Sequence, residues 1–307
     1  MEQKPFRILV LDGGGSKGVY SLGILKELEL KLGSPLHNHF QLIYGTSTGS
    51  IIAALLGLGH TVPEIIELYL KLIPKIMRAS GKKGKSAALK LEAEAVFGDR
   101  KFGAFQTDVA IVSTNFDKQI PLIFKSDVQY AHGLKSSFDI GFGCTIAEAV
   151  EASCSAYPIF NVKKVHTTNQ GTINAVDGGF IANNANLFAL VDAHKACGLD
   201  EDCIQMLSVG VGHFITKPIG IKYRILGKFQ AFKFVEKILN ASSNTNELLS
   251  RLLFPQLKIV RISETYNEPE YGTNMIETNE KKLNKLLQLG RDSYGKFETD
   301  IDQLFQI

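Results

Sequence analysis

The segment 45–49 reads Gly-Thr-Ser-Thr-Gly and has the spacing G-x-S-x-G around Ser47. This spacing is typical of a nucleophilic serine on a sharp turn between a strand and a helix. The glycines leave room where the backbone bends, and the N-terminus of the following helix carries a positive dipole that stabilises a developing oxyanion. A predicted strand at 40–44 and a predicted apolar helix at 50–58 flank the motif, so we predict that Ser47 is a nucleophile.

The segment 12–18, Asp-Gly-Gly-Gly-Ser-Lys-Gly, forms a second glycine-rich turn after a predicted strand at 7–11. Its G-x-G-x-x-G spacing matches the dinucleotide-binding fingerprint, but the acidic residue expected about 20 residues later is absent. Read from Asp12, the segment is similar to the phosphate loop of sugar kinases in the actin-like ATPase class. Two further interpretations are a nest of backbone N–H groups that holds an anionic oxygen beside Ser47, and a tight turn without a ligand.

A serine nucleophile needs a base, and two residue types are candidates. The chain has seven histidines, of which His194 or His213 would fit the chain order Ser, Asp, His of α/β-hydrolases. That fold places several strands before its nucleophile, whereas a single strand–helix unit precedes Ser47. Asp177 is the better candidate because it ends an apolar run and enters the turn Gly178-Gly179. Desolvation in a closed site would make its carboxylate more basic.

These residues lie at the ends of predicted strands, in an order that is typical of an α/β protein with a parallel sheet. Further strands are predicted at 109–115, 120–124, 173–176, 205–211 and 258–262. Helices are predicted at 62–73, 146–153, 184–197, 229–240 and, with breaks, 281–305. The segment 74–105 mixes Gly, Ser and Lys with short helical patches, which indicates a surface lid or a mobile insertion.

The composition of the 307 residues is that of a folded protein: 45% are apolar, 21% are charged and the net charge is +3. We expect one domain over 1–307, and this small net charge does not suggest a nucleic-acid polymer as partner. The interval between Lys31 and Glu64 has no charged residue, but polar residues interrupt it, which favours a buried strand and helix over a membrane span. Scattered cysteines and the lack of a signal-peptide pattern predict a cytoplasmic location.

The order of these motifs resembles that of patatin-like phospholipases, which have a glycine-rich first loop, a G-x-S-x-G motif about thirty residues later and a distal D-G-G or D-G-A. The likeness extends to a small-residue helix end with a following proline at 152–160 and to an S-x-G-x-G strand end at 208–212, so it covers about 7–212. It implies a three-layer α/β fold with a central, mostly parallel sheet flanked by helices. In that fold 213–307 would be the C-terminal part of the same domain.

The resemblance also implies hydrolysis of phospholipid acyl esters by a Ser–Asp dyad, without a metal or a cofactor. Ser47 would attack the ester carbonyl, Asp177 would take the serine proton, and the N–H groups of Gly13, Gly14 and Gly15 would hold the oxyanion. An acyl-enzyme would form, and water would release the fatty acid. Five further glycines would shape the motifs: Gly18, Gly45, Gly49, Gly178 and Gly179.

The partners implied are a membrane phospholipid and an activator. The chain would act at the inner membrane surface. Independently of the resemblance, the segment 71–90, whose charged residues are all cationic, is interpreted either as a solvated, mobile basic loop or as a contact with anionic headgroups. Bacterial patatin-like proteins of this size include antiphage effectors that cyclic oligonucleotides switch on. A cyclic-oligonucleotide activator and a homo-oligomer are therefore hypotheses for this chain. The alternatives are a sugar kinase that uses the Asp12 loop and a non-catalytic lipid-binding module.

Overall fold

We describe residues 5–126, 139–215 and 227–306 of a computed structural model of the chain. The strands are β1 (Phe6–Leu11), β2 (Leu42–Thr46), β3 (Asp108–Asn115), β4 (Ile120–Lys125), β5 (Asp139–Gly141), β6 (Lys163–Thr167), β7 (Gly171–Asp177), β8 (Ile204–Val209), β9 (His213–Phe214), β10 (Lys258–Ile262) and β11 (Thr265–Tyr266). The helices are α1 (Gly18–Leu32), α2 (Thr48–Gly57), α3 (Val62–Arg78), α4 (Gly81–Phe97), α5 (Ile146–Ser153), α6 (Gly179–Ala182), α7 (Asn186–Lys195), α8 (Gly227–Leu253), α9 (Glu280–Lys296) and α10 (Glu298–Phe305).

The central sheet has the strand order β10-β8-β1-β2-β3-β4-β5. The first five of these strands run parallel to one another, and β4 runs antiparallel to β3. Residues 8–11 of β1 are fully buried, as expected for a central strand whose two faces are both covered by helices. The predicted mostly parallel sheet is confirmed.

Two strands share one edge of β3. The first half of β3 pairs with β2 in parallel, up to the pair Thr46 and Val112. The second half pairs with β7 in the antiparallel sense, starting from Asp177 opposite Ser113. Because β2 and β7 approach from opposite directions along the same edge, their C-terminal ends meet, and the residue after Thr46 lies next to Asp177.

Alternate residues of β1 point into two separate cores, one on each face of the sheet. Leu9 and Leu11 join a cluster that includes α1, α2, α3 and α9, while Ile8 and Val10 join a cluster that includes α7. The C-terminal part contributes to the same body, since β10 extends the sheet and α9 packs along α1. The predicted arrangement of three layers is confirmed.

The segment 74–105, which is predicted to be a surface lid or a mobile insertion with short helical patches, is mostly helical. α3 continues through Pro74, and α4 buries Leu89, Ala93 and Phe97. The strong helix formers Ala, Leu, Lys and Glu between 85 and 97 outweigh the glycines at the start of α4. The function of the segment as a lid stays a prediction.

Other differences concern the ends of elements. β2 begins two residues later than predicted, and α8 extends well beyond the predicted end at 240, through a polar stretch in which Ser243 and Ser250 are buried. The predicted helix 281–305 is divided at Phe297 into α9 and α10. β5 and β6 are absent from the prediction because they are short and carry little apolar alternation.

The interval between Lys31 and Glu64 contains β2 and α2, both fully buried, as the polar interruptions indicate. Across the described ranges, the helices lack the combination of length and apolar content that crossing a bilayer requires.

Candidate active site

Ser47 occupies a strained turn between β2 and α2. Its backbone angles are φ 51° and ψ −122°, a region that non-glycine residues rarely adopt. The turn is tight enough to exclude side chains on both sides: a Cβ on Gly45 would lie 2.4 Å from the Gly49 carbonyl oxygen, and one on Gly49 would lie 2.3 Å from the Leu11 carbonyl oxygen. The glycines of G-x-S-x-G are therefore required by close backbone approach, and the strain orients the hydroxyl.

Ser47 and Asp177 are in direct contact. The Ser47 Oγ donates a hydrogen bond of 2.7 Å to Asp177 Oδ2, and the Gly179 N–H donates one of 2.8 Å to Asp177 Oδ1. Gly178 and Gly179 bend the chain here, since a Cβ on Gly178 would lie 2.2 Å from the Val112 carbonyl oxygen. Each carboxylate oxygen thus has one donor, and the bond to Gly179 orients the other oxygen toward the serine.

Burial determines the electrostatics of this pair. Asp177 is 1% exposed and Ser47 is 7% exposed. Desolvation raises the pKa of Asp177 to about 7, against the opposing effect of the bonds from Gly179 and Ser47. A carboxylate with this pKa is a far better proton acceptor near neutral pH than an exposed aspartate.

A buried serine that the sequence analysis does not name as a site residue positions Ser47, the candidate nucleophile. The Ser153 Oγ accepts a hydrogen bond of 2.8 Å from the Ser47 N–H and donates one to the Val112 carbonyl. The Ser47 N–H is therefore occupied and does not point to an oxyanion. Ser153 ends α5 within the small-residue segment 152–160. The sequence therefore marks this segment but does not predict that Ser153 binds the Ser47 N–H.

The glycine loop 13–15 lies against Ser47, and its three N–H groups differ in their hydrogen bonds. A Cβ on Gly13 would lie 2.9 Å from Ser47 Cβ. The Gly13 N–H donates to the Asn183 carbonyl at 3.2 Å and is therefore occupied in this structure, and its role in holding the oxyanion stays a prediction. Among the described residues, the N–H groups of Gly14 and Gly15 have no acceptor, which leaves them as the candidate donors.

An apolar pocket opens beside Ser47 but is almost filled. Its walls come from α3, α4, the segment 154–160 and the segment 275–276, and its volume is about 30 Å³, roughly that of one water molecule. Ile76 and Leu89 of this wall belong to the segment 74–105, and Met275 packs in the same apolar cluster. Burial raises the pKa of the Cys154 thiol in this wall, so it stays protonated and is no rival nucleophile.

Asp12, the residue on which the kinase interpretation depends, is engaged elsewhere. Arg261 binds both of its carboxylate oxygens, at 2.8 and 2.6 Å, and Asn184 and Ser243 donate to them at 3.0 and 2.9 Å. This ion pair is buried on both sides. Asp12 is therefore a structural anchor of the loop and not a ligand for a nucleotide phosphate.

The histidine candidates lie away from the serine. His194 stacks on Phe254, and the His213 ring contacts Asn240. His132 lies outside the described residues. The hydrogen-bond partner of the Ser47 hydroxyl is Asp177. The structure therefore favours this carboxylate over His194 and His213 as the candidate base.

A model of the patatin-like phospholipase family matches residues 9–190, a range that contains Ser47, Asp177 and the glycine loop. The chain belongs to the patatin-like phospholipase family. It is therefore an enzyme of the phospholipase class, as the order of the motifs predicts. The sugar kinase interpretation and the interpretation as a non-catalytic lipid-binding module are both wrong.

Relatives and solved structures agree with this family. The chain is 42% identical over 295 residues to the cUMP-AMP-activated phospholipase of Escherichia coli, which covers 96% of this chain and 92% of that protein. It is 27% identical over 233 residues to the cGAMP-activated phospholipase of Pseudomonas aeruginosa, covering 71% and 65%. Human GIVD cytosolic phospholipase A2 matches 98% of this chain and 62% of its own at a TM-score of 0.52 and 12% identity, which shows a shared fold.

Proposed function

We propose that this chain cleaves acyl esters of membrane phospholipids with a Ser47–Asp177 dyad. The observation that carries the proposal is the 2.7 Å hydrogen bond from the Ser47 hydroxyl to a buried carboxylate whose pKa is raised to about 7. A carboxylate in that state can accept the serine proton as the oxygen attacks, so the pair needs no histidine.

The reaction has two halves that use the same residues. Ser47 Oγ forms a bond to the ester carbonyl carbon while Asp177 takes its proton, and the carbonyl oxygen becomes an oxyanion. The tetrahedral intermediate then loses the lysophospholipid alkoxide, which leaves with the proton from Asp177. Water attacks the acyl-enzyme as Asp177 takes a proton from it, and the fatty acid departs as Ser47 regains its hydrogen.

The oxyanion would be held by the N–H groups of Gly14 and Gly15. Each such donor supplies about 3 kcal/mol of transition-state stabilisation. The acyl chain would occupy the apolar pocket beside Ser47, whose present volume of about 30 Å³ is too small for it. The pocket must therefore widen before substrate enters.

We further propose that a cyclic oligonucleotide activates the enzyme, in antiphage defence, and that it acts from the cytoplasm on the inner membrane surface. The two bacterial relatives named after cUMP-AMP and cGAMP support the activator, and the closed pocket supports a resting state that needs one. Exposed cations of α3 and α4, such as Lys71 and Lys83, support contact with anionic headgroups. Leu248, Leu252 and Leu253 are 58, 66 and 61% exposed, which supports a homo-oligomer.

Labelling with a fluorophosphonate probe tests the dyad. The probe should label the wild-type chain, should fail on Ser47→Ala, and should label Asp177→Asn much more slowly, because the base is lost. Release of fatty acid from mixed bacterial phospholipid vesicles should follow the same order, and cUMP-AMP should increase it in the wild type. Labelling that persists in Ser47→Ala would reject the nucleophile.

A further inference from the structure

A second cavity lies on the other side of Met275 from the apolar pocket beside Ser47, which we call the catalytic pocket. It has a volume of about 830 Å³, within the range of small-molecule sites, and lies between α8 and the strand and loop segments 211–215 and 261–276. Its walls include Asn183, Phe214, Asn240, Asn244, Arg261 and Thr273. We refer to it as the second cavity. The Ser47–Asp177 chemistry makes no use of it.

The walls of the second cavity suit a ligand with bases better than a small anion. Asparagine amides and hydroxyls offer paired donors and acceptors of the kind that read base edges, and the Phe214 ring offers a stacking surface. Arg261 is already neutralised by Asp12 and Glu247, at 2.6 and 3.5 Å, so an isolated phosphate gains little there. Lys237, exposed on α8, has no ion pair among the described residues and could face a phosphodiester.

The second cavity is physically connected to the catalytic pocket by one short segment. Met275 and Ile276 line both spaces. Met275 is 6% exposed and packs in one apolar cluster with Ile76 and Leu89 of the catalytic pocket. Its carbonyl accepts a 2.9 Å hydrogen bond from the N–H of Ser16, the residue directly after the glycine loop. A ligand that displaces this segment therefore changes the pocket and the loop together.

A second connection runs through Asn183. Its Nδ2 donates to the Gly13 carbonyl at 3.2 Å and to Ser243 on α8 at 2.8 Å, and its backbone carbonyl accepts from the Gly13 N–H. Asn183 also forms part of the wall of the second cavity. A shift of α8 on ligand binding would thus move Asn183 and change the hydrogen bond that now occupies the Gly13 N–H.

We propose that the second cavity binds a cyclic dinucleotide and that the bound ligand moves Met275 and Ile276 away from the catalytic pocket. This inference rests on the proposed activation by a cyclic oligonucleotide, and it assigns the place and the moving segment. In this proposal the ligand binds more tightly when the segment has moved, and this difference in affinity shifts the equilibrium toward the open pocket.

Binding is tested without any need for catalysis. Isothermal titration of cUMP-AMP and of cGAMP into full-length Ser47→Ala should show saturable binding of at least one of them, whereas inorganic phosphate and the linear dinucleotide should bind at least tenfold more weakly. Lys237→Glu and Ala241→Trp, made in the same background at exposed positions of α8, should each weaken binding at least tenfold. Lys195→Glu on α7 is the matched control and should bind within twofold of its parent.

Three results would overturn the proposal. Unchanged affinity in both Lys237→Glu and Ala241→Trp would place the ligand elsewhere, and equal affinity for the linear and cyclic dinucleotides would reject the ligand class. Absence of binding by every nucleotide would reject the inference together with the proposed activation. Fluorophosphonate labelling of Ser47 is measured separately, so the dyad would stand or fall on other data.

The coupling is tested by truncating the shared segment. Met275→Ala should raise fatty-acid release without nucleotide at least fivefold and reduce the stimulation by nucleotide, because the pocket loses the side chain that closes it. Met77→Ala, which enlarges the catalytic pocket away from the second cavity, should keep its dependence on nucleotide. Equal dependence on nucleotide in both variants would reject the role of Met275.

Discussion

The chain contains the same tripeptide, Asp-Gly-Gly, at two strand ends, and the two aspartates have opposite surroundings. Asp12 follows β1 and Asp177 ends β7, and they are 3% and 1% exposed. Asp12 is bound by the Arg261 guanidinium, whereas Asp177 is contacted by the uncharged donors Ser47 and Gly179. The carboxylate that is paired with a cation anchors its turn, and the carboxylate that has no cation beside it is the proposed base. The motif alone does not distinguish them; the partner does.

Replacing the base gives the largest expected effect. Asp177→Asn removes the proton acceptor and keeps the shape, so we expect kcat for fatty-acid release to fall by roughly 10²–10⁴-fold, the usual contribution of a general base. Asp12→Asn, assayed below its own Tm, should also lower kcat, but its fold loss should be at least ten times smaller than that of Asp177→Asn. Similar losses of kcat in the two folded variants would show that the two turns do not differ in the way proposed.

Removing the cation from the other turn should affect stability instead. Arg261→Met leaves Asp12 buried without its partner, and we expect the free energy of unfolding in urea to fall by about 3–5 kcal/mol. Lys90→Ala breaks an exposed pair with Glu94 and is the control, with an expected change of about 1 kcal/mol or less. A loss of stability from Arg261→Met no larger than the control would mean that Asp12 is not anchored by its charge.

The sequence predicts the positions of the strands better than it predicts the contacts between them. β1, β3 and β10 lie within one residue of their predicted positions because each contains a short apolar run that is rich in Ile and Val. The meeting of Ser47 with Asp177 depends on the register of β2 and β7 along β3, which is a long-range property. The place of Asp177 at the end of an apolar run, together with the resemblance to a family, predicts the pairing, but neither of them gives the register that brings the two residues into contact.

Other site features are beyond local sequence patterns. Arg261 lies on a correctly predicted strand, yet its partner Asp12 is 249 residues away along the chain, so no local pattern links them. The occupied N–H of Gly13 depends on the carbonyl of Asn183, which only the packed structure places there. Helix α4 was missed because glycines at its start resemble loop residues, although helix formers dominate the rest.

The pH profile tests the raised pKa of Asp177 directly. Its carboxylate must be ionised to accept the serine proton, and its pKa is raised to about 7. We therefore expect kcat/KM to increase about tenfold per pH unit below that value and to level off above it. A profile that is flat between pH 5 and 8 would contradict the assignment of Asp177 as the base.

The same pKa has a consequence for stability with a definite sign. Because the pKa of Asp177 is higher in the folded state, the folded protein keeps this proton up to a higher pH than the unfolded chain does. The free energy of unfolding should therefore decrease as the pH rises from about 4 to about 7. Asp177→Asn removes the titrating group, so the difference in unfolding free energy between variant and wild type should grow in favour of the variant over that interval. A constant difference across these pH values would show that Asp177 titrates normally.

The smallest expected effect concerns the contact that holds the glycine loop 13–15 beside the start of α2. Tyr69 donates a 2.5 Å hydrogen bond to the Gly15 carbonyl and also contacts the Thr48 hydroxyl, so it ties the glycine loop to α2. Removing one such bond costs about 0.5–1.5 kcal/mol, which corresponds to roughly a two- to twelvefold loss. We expect Tyr69→Phe to lower kcat by that factor with little change in KM, because the loop acts on the transition state and not on the bound substrate.

Tyr20→Phe is the matched control for this variant, since it removes another buried tyrosine hydroxyl, one that contacts Ser293 instead of the glycine loop. Its kcat should stay within about twofold of the wild type, a change of less than about 0.5 kcal/mol. If both tyrosine variants lose kcat equally, the loss reflects general loosening of the core. If Tyr69→Phe alone loses it, the alignment of the Gly14 and Gly15 N–H groups depends on an anchor outside the turn, whereas Asp177 is oriented from within its own turn by Gly179.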